Sequence, residues 1–334
     1  MKLFYIYEMK KMFFLNSTKF FMLIFLSIFL ALSSSNFVSM WMSFEINFYS
    51  FLPLLINKKV YESEKSMMMY FWIQSIASNS FIFFMLISKI LKNDELINYL
   101  LMVMMFLKMG MFPFQLWMLS MAEKLSWFMM AFILTIQKFL PMIMISMLLS
   151  KNKMIIMMIL NSIAASLMGL KSFSMRKIMI FSSMNHLTIM LLSLLISKKT
   201  TTIYILIYTF MNFITSKLFY KLNYNFIYNI FISEKSNLTS SLSMIMIIFS
   251  MMGLPPFLGF VPKTMVFIFL IEKTQFILMT TFLVSNTISS FFYLRMIFSN
   301  LIMSYNNQKM KKSIKNKTIY LVLILPFMSN FLMI

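Results

Sequence analysis

The chain has 334 residues, 60% hydrophobic and 12% charged, with 40 Phe, 42 Met, four Gly and no Cys; this excludes a soluble globular domain and places the protein in lipid. Lack of Cys and a single histidine, His186, exclude disulfides, iron-sulfur clusters, thiolate zinc sites, and two-histidine haem or copper sites. Thirty Lys and Arg against nine Asp and Glu give a net charge of +21, but they fall mostly in short clusters between apolar runs. They read as loop charges rather than a nucleic-acid footprint, for which Lys309 to Lys317 is the one plausible segment.

Apolar stretches bounded by charged or polar residues predict an all-α polytopic membrane protein with about eleven transmembrane helices. In order they are Phe13 to Leu32, Phe37 to Ile56, Met67 to Ile90, Tyr99 to Met121, Trp127 to Leu149, Met154 to Leu170, Ile178 to Ser197, Thr201 to Tyr220, Ser241 to Ile271, Gln275 to Ser299, and Lys317 to Ile334. The first follows Lys2, Lys10 and Lys11 like a signal peptide, but no small-residue cleavage site follows it and the next span begins at once. Loops on the side of the N-terminus hold most of the loop lysines and arginines, which puts that terminus on the cytoplasm-equivalent face and the C-terminus opposite.

An ionisable side chain near the bilayer centre costs about 2.5–3.5 kcal/mol on insertion scales, so those that persist face the bundle interior. Glu45 in the second span and Lys108 in the fourth lie at matching depth, roughly 12–14 Å from the same face, where they can pair. Lys138 sits near the midplane of the fifth span, and as a buried amine it is the candidate proton carrier. His186 follows Ser182, Ser183 and Asn185 in the seventh span and is a candidate relay. Helix locking by the Glu45 and Lys108 pair, interfacial snorkelling by Lys138, and a satisfied core role for His186 are the alternatives.

The fourth span carries Gly110-Met111-Phe112-Pro113-Phe114 and the ninth Gly253-Leu254-Pro255-Pro256-Phe257, each near an intramembrane lysine, Lys108 or Lys263. Proline and glycine at Gly110, Pro113, Gly253, Pro255 and Pro256 predict two broken helices, tolerated in lipid where neighbours satisfy the freed carbonyls. The shared pattern, five spans apart, predicts a single transmembrane domain, 1–334. It would hold inverted pseudo-repeats at about 13–149 and 154–299 and a C-terminal helix at about 317–334.

Trp41-Met42-Ser43-Phe44-Glu45-Ile46-Asn47, Lys108-Met109-Gly110 through Pro113-Phe114, and Gln137-Lys138-Phe139-Leu140-Pro141-Met142 resemble the chain 2 family of antiporter-like subunits of mitochondrial NADH:ubiquinone oxidoreductase, respiratory complex I. So do Arg176-Lys177 with Phe181 to Leu187, and Gly253 to Phe260 with Pro262-Lys263. The eleven spans resemble the animal form, and the abundance of Met, Phe, Ile, Lys and Asn, all with AT-rich codons, suits an insect organelle genome. The resemblance implies a subunit that moves protons across the mitochondrial inner membrane, driven by quinone reduction elsewhere. Its partners would be other membrane-arm subunits and the bilayer, with the N-terminus in the matrix and the C-terminus facing the intermembrane space. By matched motif, Glu45 and Lys108 form a coupling pair, Lys138 carries the proton, and Lys263 stands toward the exit, with Arg176 and His186 less firmly assigned. Gln115 stands where the family often has histidine and Thr264 where it often has tryptophan. No cofactor or metal is expected on this chain; NADH, flavin, iron-sulfur clusters and ubiquinone belong to other subunits. A stand-alone cation/proton antiporter and a structural membrane subunit without its own proton path remain as rival readings.

Overall fold

A hydrocarbon environment offers backbone amides no water, so apolar runs of this length satisfy their own hydrogen bonds as helices. The computed structural model describes residues 2–55, 62–91, 94–148, 151–232 and 238–308. Within them are fourteen helices and an isolated antiparallel bridge between Ser174 and Phe226. The predicted eleventh span and the Lys309 to Lys317 cluster lie outside the described residues.

The chain divides into two units. Unit 1, Met1–Leu125 with Ile136–Ser150, contains α1 (Lys2–Ser33), α2 (Phe37–Leu55), α3 (Glu62–Leu91), α4 (Asp94–Met109), α5 (Leu116–Ala122) and α7 (Ile136–Met147). Here α2 packs on α1 and α3, and α4 packs on α3 and α7. Unit 2, Ser126–Thr135 with Lys151–Ile334, contains α6 (Trp127–Leu134), α8 (Lys151–Lys171), α9 (Met175–Ile196), α10 (Lys198–Leu222), α11 (Ile227–Ile232), α12 (Leu238–Met252), α13 (Phe260–Glu272) and α14 (Phe276–Gln308). In unit 2, α9 is buried almost throughout, among α8, α10, α13 and α14. The first ten predicted spans each correspond to one helix or one interrupted pair. Among the described residues, six stretches are long and apolar enough to cross a membrane by length and composition.

Sidedness is inverted relative to a soluble protein. Large apolar side chains such as Phe29, Ile90, Leu116 and Ile277 are more than 70% exposed, as a lipid-facing surface requires. Lys108, Lys138, Lys263, His186, Asn47, Gln74 and Asn185 are buried inside.

The two predicted breaks share one stop. Gly110 and Gly253 have positive φ, 65° and 77°, a conformation open to glycine because it has no Cβ. Gly110 N donates to Leu107 O and Met111 N to Phe106 O, both at 3.1 Å; Gly253 N donates to Ser250 O at 3.2 Å and Leu254 N to Phe249 O at 3.4 Å. Each is the paired hydrogen-bond pattern of a Schellman stop. Beyond it, Phe114 N donates to Met111 O and Phe257 N to Leu254 O, and a cis X-Pro bond lies at the same place in each, Phe112-Pro113 and Pro255-Pro256.

A third interruption was not predicted. The fifth span is one continuous apolar run in sequence, yet its helix breaks at Thr135, where φ is −121° and ψ −79°. Thr135 Oγ1 donates to Ala131 O at 2.6 Å, and Pro141 has no N–H to offer the Gln137 carbonyl one turn back. The segment before the break, α6, belongs to unit 2, where Trp127 packs edge-on against Phe219 of α10. The segment after it, α7, belongs to unit 1.

Candidate functional site

In unit 1, Lys108 occupies the last turn of α4, just before the Gly110 stop. Its Nζ lies 4.0 Å from the centroid of the Phe44 ring on α2, a cation–π contact. Glu45, the next residue on α2, is half-buried, in contrast to the buried Lys108. The Schellman stop leaves α4 carbonyls without helical donors, and Gln74 Nε2 from α3 donates to Lys108 O at 3.3 Å. Lys138 is 3% exposed in the first turn of α7, just after the Thr135 break. Its neighbour Gln137 is held from two helices: Asn47 Nδ2 donates to Gln137 Oε1 at 3.0 Å, Gln137 Nε2 donates to Asn47 Oδ1 at 3.1 Å, and the Tyr70 hydroxyl donates to Gln137 Oε1 at 3.2 Å. The helices carrying Glu45, Lys108 and Lys138 are thus joined side chain to side chain or packed directly.

In unit 2, Lys263 of α13 folds back over the Gly253 stop. Its Nζ donates to Met252 O at 2.9 Å and to Asn286 Oδ1 of α14 at 3.5 Å. A cation at the C-terminal end of a helix also meets the negative end of its dipole. His186 Nδ1 lies 2.9 Å from the Tyr204 hydroxyl, with the Tyr208 ring 5.0 Å from its centroid. A narrow crevice brings His186 and Lys263 together with Asn185, Asn286, Ser289 and Tyr293. It is too narrow to admit a water molecule. Among the described residues no group of three His, Cys, Asp or Glu side chains assembles that could hold a metal.

Comparison with known proteins shows the family and the fold. The family described as "NADH:quinone oxidoreductase/Mrp antiporter, TM" matches residues 34–289. The NADH-ubiquinone oxidoreductase chain 2 of Anopheles gambiae is 33% identical over 307 residues, covering 89% of this chain and 90% of that one. That of Locusta migratoria is 32% identical over 308 residues, covering 90% and 89%. The chain belongs to the NADH-ubiquinone oxidoreductase chain 2 family. Among solved structures, respiratory complex I from Thermus thermophilus contains a chain with a TM-score of 0.79 at 15% identity, covering 95% of this chain and 76% of that one. The archaeal membrane-bound sulfane sulfur reductase contains one with a TM-score of 0.76 at 16% identity, covering 94% and 72%. At those identities the likeness concerns the antiporter-like fold.

Within this chain 2 fold, Gln115, Thr264 and Arg176 have clear places. Gln115 is buried at the N-terminus of α5, and its carbonyl accepts from Met118 N and Leu119 N. Thr264 Oγ1 donates to Val261 O at 2.9 Å within α13. Arg176 places its guanidinium 5.2 Å from the Trp127 ring centroid. Of the polar supports, Asn47 and Gln137 stood in the matched motifs without an assigned role, and Gln74, Tyr204 and Asn286 were not singled out in the sequence. Polar residues inside predicted spans were the available signal, obscured by the many serines and threonines that bond carbonyls of their own helices.

Proposed function

We propose that this chain, a membrane subunit of NADH-ubiquinone oxidoreductase, translocates protons across the mitochondrial inner membrane through a relay of Glu45, Lys108, Lys138 and Lys263, with His186 assisting. The redox chemistry that drives it resides on other subunits. One observation carries this reading: each buried lysine sits at a helix interruption, Lys108 before the Gly110 stop, Lys138 after the Thr135 break, and Lys263 bonded across the Gly253 stop. Interruptions free backbone carbonyls that can accept from an ammonium, as Met252 O does from Lys263, and they are the places where a membrane helix can rearrange locally.

In this mechanism, a signal from a neighbouring subunit alters the field of Glu45 on Lys108. A changed charge at Lys108 alters the field at Lys138 on the adjoining helix, and the proton of Lys138 moves on toward Lys263. The repeated stop motif supports two pseudo-repeats of one ancestral unit. The lysine-rich loops support an N-terminus in the matrix and a C-terminus in the intermembrane space. Replacing Lys138 with Met in the assembled complex tests the relay. Proton translocation per NADH oxidised should fall while assembly persists; an assembled variant pumping at normal stoichiometry would overturn it.

A further inference from the structure

We propose that unit 2 carries a binding site for an anionic phospholipid, formed by Arg295 and the apolar groove beside it. The groove encloses about 760 Å³ and is lined chiefly by Phe173, Ile227, Tyr228, Phe291, Leu294 and Phe298, with Arg295 at its edge. That volume falls within the ~300–1,000 Å³ of small-molecule sites. Phe173, Tyr228, Phe291 and Phe298 are each more than half exposed, so their rings face the surrounding medium. For a membrane-spanning helix that medium is lipid.

Arg295 distinguishes this groove from an ordinary apolar surface. One terminal nitrogen donates to Leu170 O at 3.0 Å and the other to Ser172 O at 2.5 Å, tying α14 to the end of α8. The face of the guanidinium lies 5.1 Å from the Phe173 ring centroid. Both acceptors are neutral carbonyls, and Nε is buried with no hydrogen-bond partner. Two of five N–H donors are therefore used, and the positive charge is oriented but not neutralised. A charge within a membrane span ordinarily finds a counter-ion. Arg295 stands six residues before the end of the Phe276–Leu301 span, about 9 Å along the helix, within reach of the headgroup layer. Lys171, exposed in the last turn of α8, adds positive charge next to the two carbonyls that Arg295 holds. A phosphate at Arg295 with an acyl chain along Phe291, Leu294 and Phe298 satisfies both the charge and the groove. This site is independent of the proton relay.

The test uses the full chain in phosphatidylcholine vesicles containing a small share of phosphatidylglycerol with a photoactivatable acyl chain. A matched sample carries the same photoactivatable chain on phosphatidylcholine. After illumination, mass spectrometry of peptides should find label on the Phe291 to Phe298 segment, about fivefold more from phosphatidylglycerol. Arg295→Gln should erase that preference and Arg295→Lys should keep it. Because Arg295 also ties two helices, Leu294→Trp provides a second arm: it fills the groove, leaves the guanidinium bonds, and should reduce labelling by both lipids. Equal labelling by the two lipids, or a preference unchanged in folded Arg295→Gln, would overturn the proposal. So would cross-links from these residues to another subunit in place of lipid in the assembled complex.

Discussion

Asn47 of α2 and Gln137 of α7 exchange side-chain amides, each donating to the other's carbonyl oxygen, at 3.0 and 3.1 Å. The exchange joins positions 90 residues apart. Asn47 is two residues past Glu45, and Gln137 immediately precedes Lys138, so the clasp ties the helix bearing the acidic residue to the helix bearing the central lysine. Away from water, amides that satisfy each other rigidify their helices, and an amide left alone pays its full desolvation cost.

Replacing Gln137 with Leu should strand the Asn47 amide and the Tyr70 hydroxyl at a cost of about 1–3 kcal/mol. Replacing Asn47 with Leu as well should recover part of that loss, so the two changes should couple by about 0.5–3 kcal/mol. Thermal loss of helical signal from the purified chain in nanodiscs measures the cycle. Additive changes would show that the amides do not act as a pair.

The two glycine stops should respond differently to alanine. Both pay about 1–2 kcal/mol for a Cβ in the left-handed region. At Gly110 the added Cβ meets the end of the Met118 side chain at 3.0 Å, which can swing aside. At Gly253 it meets Lys263 Cδ at 2.8 Å and the Gly259 carbonyl oxygen at 3.2 Å, so the Lys263 side chain must shift over the stop. Gly253→Ala should therefore depress proton translocation well beyond Gly110→Ala, and cost more stability because the Gly259 carbonyl is backbone. Equal pumping by the two variants would show that the position of Lys263 over the stop is immaterial.

The spans, the two G-x-x-P-F breaks and the buried lysines were legible in sequence because each breaks a strong rule: a charge in an apolar run, or a glycine and proline where a helix should continue. The Thr135 break left no such mark. It needs only a threonine able to bond backward and a proline six residues on, both common in membrane helices. The polar supports were equally hidden. Asn47 and Gln137 sit 90 positions apart, and their pairing depends on tertiary packing that helical periodicity does not encode. Most serines in the spans bond carbonyls of their own helix, as Ser182 and Ser193 do with Met179 and Met190, so polarity inside a span is a poor pointer to a site.

His186 is the sole histidine of the chain, which makes it an unambiguous spectroscopic probe. The phenol of Tyr204 is 2.9 Å from Nδ1; a phenol can donate or accept, and donation to Nδ1 is the arrangement that gives its buried proton a partner, with the ring proton on Nε2. Nitrogen-15 NMR of the histidine-labelled full chain should show that tautomer, and Tyr204→Phe should shift the spectrum toward a mixture. A spectrum with the proton on Nδ1 would reverse the direction of this hydrogen bond.

Asn185 permits a separation of stability from transport. It is buried at 5% exposure, neither atom of its amide has a hydrogen-bond partner, and it lines the crevice with His186 and Lys263. An unsatisfied buried amide lowers stability, so its persistence beside two ionisable groups fits a role in carrying protons. Because the crevice is too narrow to admit water, conduction through it requires the walls to part, and an amide lining it then offers both a donor and an acceptor to entering water. Asn185→Leu, of similar size and without polar atoms, should leave thermal stability unchanged or raise it while slowing proton translocation. Loss of stability would mean that the amide is satisfied in the native membrane. Unchanged transport in a stable variant would remove the crevice from the proton path.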